Sequence, residues 1–330
     1  MKRKNRFSWL VVLAVGGGLW IGSVCPAWAG GGWLHYLENI INLTTKERKT
    51  SGGDAADNSG VFNTTGERCA ICDKVISGKM HLLDDEYVCR RCLERHLPAC
   101  CCCGRRIRSG YVEYYDGNYC CLNCYGNTSL PRCAECNCPV EQPELPGGGY
   151  ACTKHRRGAV CDTDEAYEVW SEVEEEYTRV FGPDFVLDTV PNIHMMTLSE
   201  LQEKGYTNSD WIKAFSRTHV AGGHFVHDIY VLKGMSRSYL LEQLAHEGAH
   251  CWHYEYQPYV LSCQPAFKEG FCEWVAFKVL DDLDLDKQRT RQLNNADLDY
   301  SRGLRDFLRL EEKVGSVDGV LEYVRTNIKL

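Results

Sequence analysis

Apolar positions divide the chain into four stretches. Residues 7–24 form an uncharged run of 18. Residues 44–66 are rich in Gly, Ser, Thr, Asn and Asp, with too few apolar side chains to bury a core. Cysteine dominates residues 67–161. From Asp162 the pattern becomes helical: Asp162 can cap a helix running to about Phe181, with Tyr167, Trp170, Val173, Tyr177 and Val180 on one face. Asn192 to Met196 reads as a short strand, Leu198 to Lys204 as a short helix, and Gly222 to Lys233 as a β-rich segment. Ser238 to Tyr254 is strongly helical. The expected fold class is α+β, with a mostly helical C-terminal half and a small sheet.

The 18-residue run follows the basic Lys2, Arg3, Lys4 and Arg6 and precedes Ala27, Trp28 and Ala29, small residues at the two positions a signal peptidase reads. Basic, apolar and A-x-A regions in that order make an export signal of bacterial style, cleaved after Ala29. A membrane anchor over residues 7–24 is the alternative, and only then is a membrane a partner. The division is thus 1–29 signal peptide, 30–66 flexible linker, 67–161 cysteine-rich modules and 162–330 helical domain. The formal net charge is −8, with four of the positive charges in that leader. So acidic a body excludes nucleic acid as the main partner.

Twenty cysteines need an explanation, and three repeated units supply it. Cys69 and Cys72 are followed by Cys89 and Cys92, Cys100 and Cys103 by Cys121 and Cys124, and Cys133 and Cys136 by Cys152 and His155. A tyrosine (Tyr87, Tyr119, Tyr150) stands two residues ahead of each second pair. Two thiolates three apart on a tight turn reach one tetrahedral ion, and two such turns complete it. Three structural zinc sites are expected. A disulfide framework is the alternative for an exported chain, but His155 cannot join a disulfide. Cys101, Cys102, Cys120, Cys138 and Cys161 are left over.

The helical run contains His246, Glu247, Gly248, Ala249 and His250, an H-E-x-x-H motif. On a helix both rings point one way and grip one zinc, with Glu247 placed to take a proton from water. Eighteen residues separate His250 from Glu269, which lies in the run Glu269, Gly270, Phe271, Cys272, Glu273. This spacing resembles that of the gluzincin peptidases, which implies Glu269 as third ligand; two His, one Glu and an open position make a catalytic zinc set. Glu273, one turn beyond Glu269, resembles the acid that in such enzymes orients a ligand histidine. Tyr300, Tyr254 and His253 are candidates to stabilise the oxyanion. His224 and His227 are expected to be structural.

The H-E-x-x-H motif, its spacing to Glu269 and the E-G-F context resemble the gluzincin peptidases, whose zincin-like fold that resemblance implies. Such enzymes lay an extended substrate along an edge strand, which the resemblance places at Phe225 to Leu232. The fingers are similar to LIM-type, treble-clef zinc modules, which bind protein partners. Together the two halves resemble the LIM-containing, ubiquitin-activated zinc peptidases first known as restrictors of plant organ growth. The resemblance includes Leu244 to Glu247, Glu269 to Cys272, and a tail from Asp299 to Arg305 leading into Val314, Gly315, Val320 and Leu321. It implies a zinc endopeptidase acting on protein or peptide substrates, with one catalytic and about three structural zinc ions and a possible protein partner at the fingers. This chain departs in its export signal, in lacking ubiquitin-interacting helices ahead of the fingers, and in gaps of seven and eight residues between fingers where a LIM domain has two. An exported binding module on a non-catalytic scaffold is the competing expectation.

Overall fold

The computed structural model describes residues 12–15, 18–22, 66–83, 86–108, 110–114, 116–207, 209, 212–257, 263–295 and 297–326. Most of the expected signal and all of the expected linker except Gly66 lie outside the described residues. Packing divides the chain into two units. One holds His35–Arg132 and Cys138–Gln142; the other holds Met1–Leu34, Cys133–Asn137 and Pro143–Leu330. The described residues form a mixed α+β structure with nine helices and small sheets. No helix among them is long and apolar enough to cross a membrane.

Two short strands come first, β1 (Val12–Val15) and β2 (Gly18–Gly22). The cysteine-rich unit then repeats one motif twice. In the first copy β3 (Met80–Leu83) and β4 (Glu86–Cys89) form a hairpin that runs into α1 (Arg90–His96). In the second, β5 (Tyr111–Glu113) and β6 (Tyr119–Cys121) run into α2 (Leu122–Tyr125). Each first cysteine pair sits on a tight turn closed by a backbone bond, from Asp73 N to Cys69 O at 2.8 Å and from Gly104 N to Cys100 O at 2.9 Å. Asp73 and Gly104 take the positive φ these turns need, 55° and 70°. Each core is tiny: Cys69, Ile76, Met80, Val88 and Cys92 in one copy, Cys100, Cys102, Ile107, Cys120 and Cys124 in the other.

The larger unit continues through β7 (Ala159–Val160) to α3 (Thr163–Phe181). Asp162 caps α3 as expected, its side chain accepting from the amides of Asp164 and Glu165. There follow β8 (Asn192–Met196), α4 (Leu198–Gly205), β9 (Ala214–Ala221), β10 (His224–Leu232) and β11 (Met235–Ser236). Five helices complete it: α5 (Arg237–Tyr256), α6 (Pro265–Asp282), α7 (Asp286–Leu293), α8 (Leu298–Val314) and α9 (Val317–Thr326). The main sheet has the order β1-β2-β9-β10-β8, with only the β10–β8 pair parallel. The strand expected at the edge is therefore interior. Residues 225–232 belong to β10, which is hydrogen-bonded to β9 on one side and β8 on the other, so no edge is open to a peptide there.

Helix α5 is buried on every face from Tyr239 to Tyr254. It makes room by carrying Gly248, where an added Cβ would lie 2.7 Å from the ring of Trp170 on α3. The same device brings α6 against α8: a Cβ on Gly270 would meet Gly303 Cα at 2.6 Å. Backbone cannot yield as a side chain can. Gly270→Ala is therefore expected to cost at least the ~1–3 kcal/mol of an overpacked core, read as a lower midpoint in urea unfolding.

Candidate metal centre

One turn of α5 separates His246 from His250, and one turn of α6 separates Glu269 from Glu273. The crossing of these helices points both imidazole Nε2 atoms at one oxygen. Glu269 Oε2 lies 3.4 Å from His246 Nε2 and 3.2 Å from His250 Nε2. Ligands bound at ~2.0–2.1 Å on a tetrahedral ion stand about 3.3–3.4 Å from each other, so these separations fit a zinc ion. His246, His250 and Glu269 are 6%, 2% and 6% exposed. Burial alone would raise the Glu269 carboxyl, but His250 and His246 outweigh it and hold the group well below its usual range. Burial likewise opposes charge on His246, yet the carboxylates of Glu269 and Glu273 hold its imidazole well above the usual range. Two imidazole nitrogens and a carboxylate oxygen thus converge in a buried pocket, and the three residues could hold a metal ion.

Behind His246, Glu273 Oε1 is 3.4 Å from Nδ1, which leaves Nε2 for the centre. Glu247 is 3% exposed, and its Oε2 accepts a 2.9 Å bond from the Ser216 hydroxyl on β9. The ring of Tyr300, from α8, stacks on His246 with centroids 5.8 Å apart and planes 20° from parallel. Of the other two oxyanion candidates, His253 is turned into the core, bonded to Gln257 and 4.9 Å from the Phe271 ring, where burial pushes it down to about 3. Tyr254 is buried near the end of α5. His227 bonds Thr218 Oγ1 at 2.9 Å and Glu255 at 2.7 Å, which ties β10 to β9 and α5, while His224 is exposed.

The twelve residues expected as finger ligands come together in three groups of four: Cys69, Cys72, Cys89 and Cys92; Cys100, Cys103, Cys121 and Cys124; Cys133, Cys136, Cys152 and His155. Each group could hold a metal ion. Sulfur ligands at ~2.3 Å on a tetrahedral zinc stand about 3.8 Å apart, and a sulfur and a nitrogen about 3.5 Å. The observed Sγ separations are 3.9 Å for Cys72–Cys89 and 4.0 Å for Cys136–Cys152. His155 Nδ1 is 3.5 Å from Cys133 and 3.4 Å from Cys152. None of the described cysteines is joined in a disulfide. The third group belongs to the larger unit. Sequence reasoning missed a fourth grouping, Cys102 and Glu141 beside Cys124. It also missed Ser216, a buried polar residue on β9 that no local motif marks.

No family model, no curated protein and no solved structure matches the chain.

Proposed function

We propose that the chain is an exported zinc endopeptidase with a gluzincin-type centre, carrying LIM-like fingers that bind protein partners or substrates. The observation that carries this reading is the convergence of His246, His250 and Glu269 beside the buried carboxylate of Glu247. In this reading His246, His250 and Glu269 hold the zinc, and Glu273 orients His246. A zinc ion there would polarise a scissile carbonyl and acidify a water. Glu247 takes the proton from the attacking water and delivers it to the leaving amine. The Ser216 hydroxyl holds one Glu247 oxygen and leaves the other for that proton. Tyr300, against the His246 ring, is the candidate donor to the oxyanion. The twelve finger ligands hold three structural ions.

The strand beside Glu247 is β9, so β9 replaces β10 as the strand along which an extended peptide would lie. Trp20 to Gly22 pair with Arg217 to His219 on its outer edge. Those residues belong to the expected leader, and cleavage after Ala29 frees that edge.

The test is incubation of the chain from Gly30 onward with an unfolded protein, followed by mass spectrometry of new termini. Internal cleavage that stops with a zinc chelator and returns with added zinc is expected. A fully metallated protein that cleaves nothing would favour the binding-module reading. A second expectation concerns Glu273. Glu273→Ala frees His246 Nδ1, and zinc affinity at this centre is expected to fall about 10–100-fold in a chelator competition.

A further inference from the structure

In the sequence the three cysteine units look equivalent. By packing they are not, since Cys133–Asn137 and Pro143–Leu330 share one unit. We propose that the third metal cluster is a fixed part of the helical unit, and that Glu135 is a positioning residue locking it to the start of α5. The catalytic consequence rests on the peptidase reading above; the structural one does not.

Glu135 stands between Cys133 and Cys136 with its side chain only 9% exposed. One of its oxygens is 3.3 Å from His155 Nε2. The other accepts a 3.1 Å bond from the backbone amide of Ser236. Ser236 is the N-cap of α5, and its own side chain makes no capping bond. A helix start leaves amides without intrahelical partners and carries partial positive charge. A carboxylate from another segment meets both needs here. The matching position is Ile71 in the first unit, 43% exposed, and Cys102 in the second, so neither can do this.

His155 links that carboxylate to the metal cluster. Its Nδ1 faces Cys133 and Cys152, so with a metal on Nδ1 the hydrogen would sit on Nε2, 3.3 Å from Glu135. This repeats the relation of Glu273 to His246, with the two nitrogens exchanged. A metal held there would fix the His155 tautomer and ring orientation, and Glu135 would pass that constraint to the Ser236 amide. Three thiolates and a neutral imidazole around a divalent ion leave one negative charge, and Glu135 adds another. The buried Lys213 lies within electrostatic reach of Cys133, Cys136 and Glu135 and offsets part of it.

The backbone closes the same joint. β7 pairs with β11, Ala159 opposite Ser236 and Val160 opposite Met235. Gly234 N donates to Val160 O at 2.8 Å. A Cβ on Gly149 would stand 2.6 Å from Lys233 O, so the chain after Leu145 lies directly on the turn that opens α5. From Ser236 to His246 is ten residues of continuous helix, about 15 Å. A helix held at its first turn carries His246, Glu247 and His250 at fixed depth.

The test compares the wild-type chain with Glu135→Ala, Glu135→Gln and, as control, Ile71→Ala. Amide hydrogen exchange over 236–241 and native-mass zinc counts are read together with kcat and KM on an unfolded protein substrate. Glu135→Ala is expected to keep its zinc ions, to exchange faster at the start of α5, and to lose about 10–100-fold in kcat with KM little changed. Glu135→Gln keeps an acceptor for the Ser236 amide and should recover most of the exchange protection. Ile71→Ala should match wild type. Wild-type exchange in Glu135→Ala would overturn the proposal, as would equal effects from Ile71→Ala. If Glu135→Ala does not fold, unprotected amides in Glu135→Gln at full zinc content would overturn it. If wild type cleaves nothing but the exchange pattern holds, the peptidase reading fails and the joint stands.

Discussion

Glu247→Gln is expected to retain every zinc ion and the melting temperature of the wild type, and to lose about 10²–10⁴-fold in kcat/KM. The amide has nearly the shape of the carboxylate, and its oxygen can still accept the 2.9 Å bond from Ser216. What it cannot do is take a proton. Glu247 is not among the three converging ligand residues, so metal content should not change. Ser216→Ala separates orientation from proton transfer: it leaves the carboxylate in place and should fall less far. Steady-state kinetics on one cleaved peptide, with zinc measured in the same samples, checks both. A Glu247→Gln variant as active as wild type would remove Glu247 from the proposed mechanism.

Metal removal should have the largest effect on folding, and it should be unequal along the chain. The first two cysteine units bury five residues each, and thiols make up two of the five in one and four of the five in the other. Such cores cannot offset the entropy of ordering their chains. Structural zinc in comparable modules supplies about 10–16 kcal/mol of apparent binding free energy. A strong chelator is therefore expected to abolish amide protection across 66–132 together, and Cys69→Ser to do so in the first unit alone. Helices α3, α6 and α8 rest on an aromatic and aliphatic core that includes Trp170, Tyr177, Trp274 and Phe307 and should keep most of theirs. Hydrogen exchange read by mass spectrometry distinguishes these regions. Protection over 66–132 that survives chelation would show those units to be held by something other than metal.

The metal-ligand groupings were legible because their geometry is written locally. A C-x2-C turn brings two sulfurs together by itself, and four residues on a helix do the same for His246 and His250. Glu269 and Glu273 needed one more step, a spacing that places the next helix across the first. Strand order was not legible. The alternation around Phe225 to Leu232 marks a strand but not its neighbours, and two neighbours turn an expected edge into the interior. Ser216 reaches Glu247 from 31 positions away, by way of the sheet's register. Nothing in the local sequence marks Glu135, because its partner amide is 101 positions further on. The near-identity of the three cysteine units likewise hid that the third is built into the helical unit, since membership depends on Gly149, Gly234 and the β7–β11 pairing rather than on any ligand.

The most direct measurement of the proposed centre is the zinc count by native mass spectrometry of the chain from Gly30 onward, beside a variant carrying His250→Ala. Four zinc ions in the first and three in the second are expected, with equal protein masses after denaturation apart from the substitution. Three zinc ions in both would leave the fingers metallated and His246, His250 and Glu269 without a metal, contradicting the proposed peptidase.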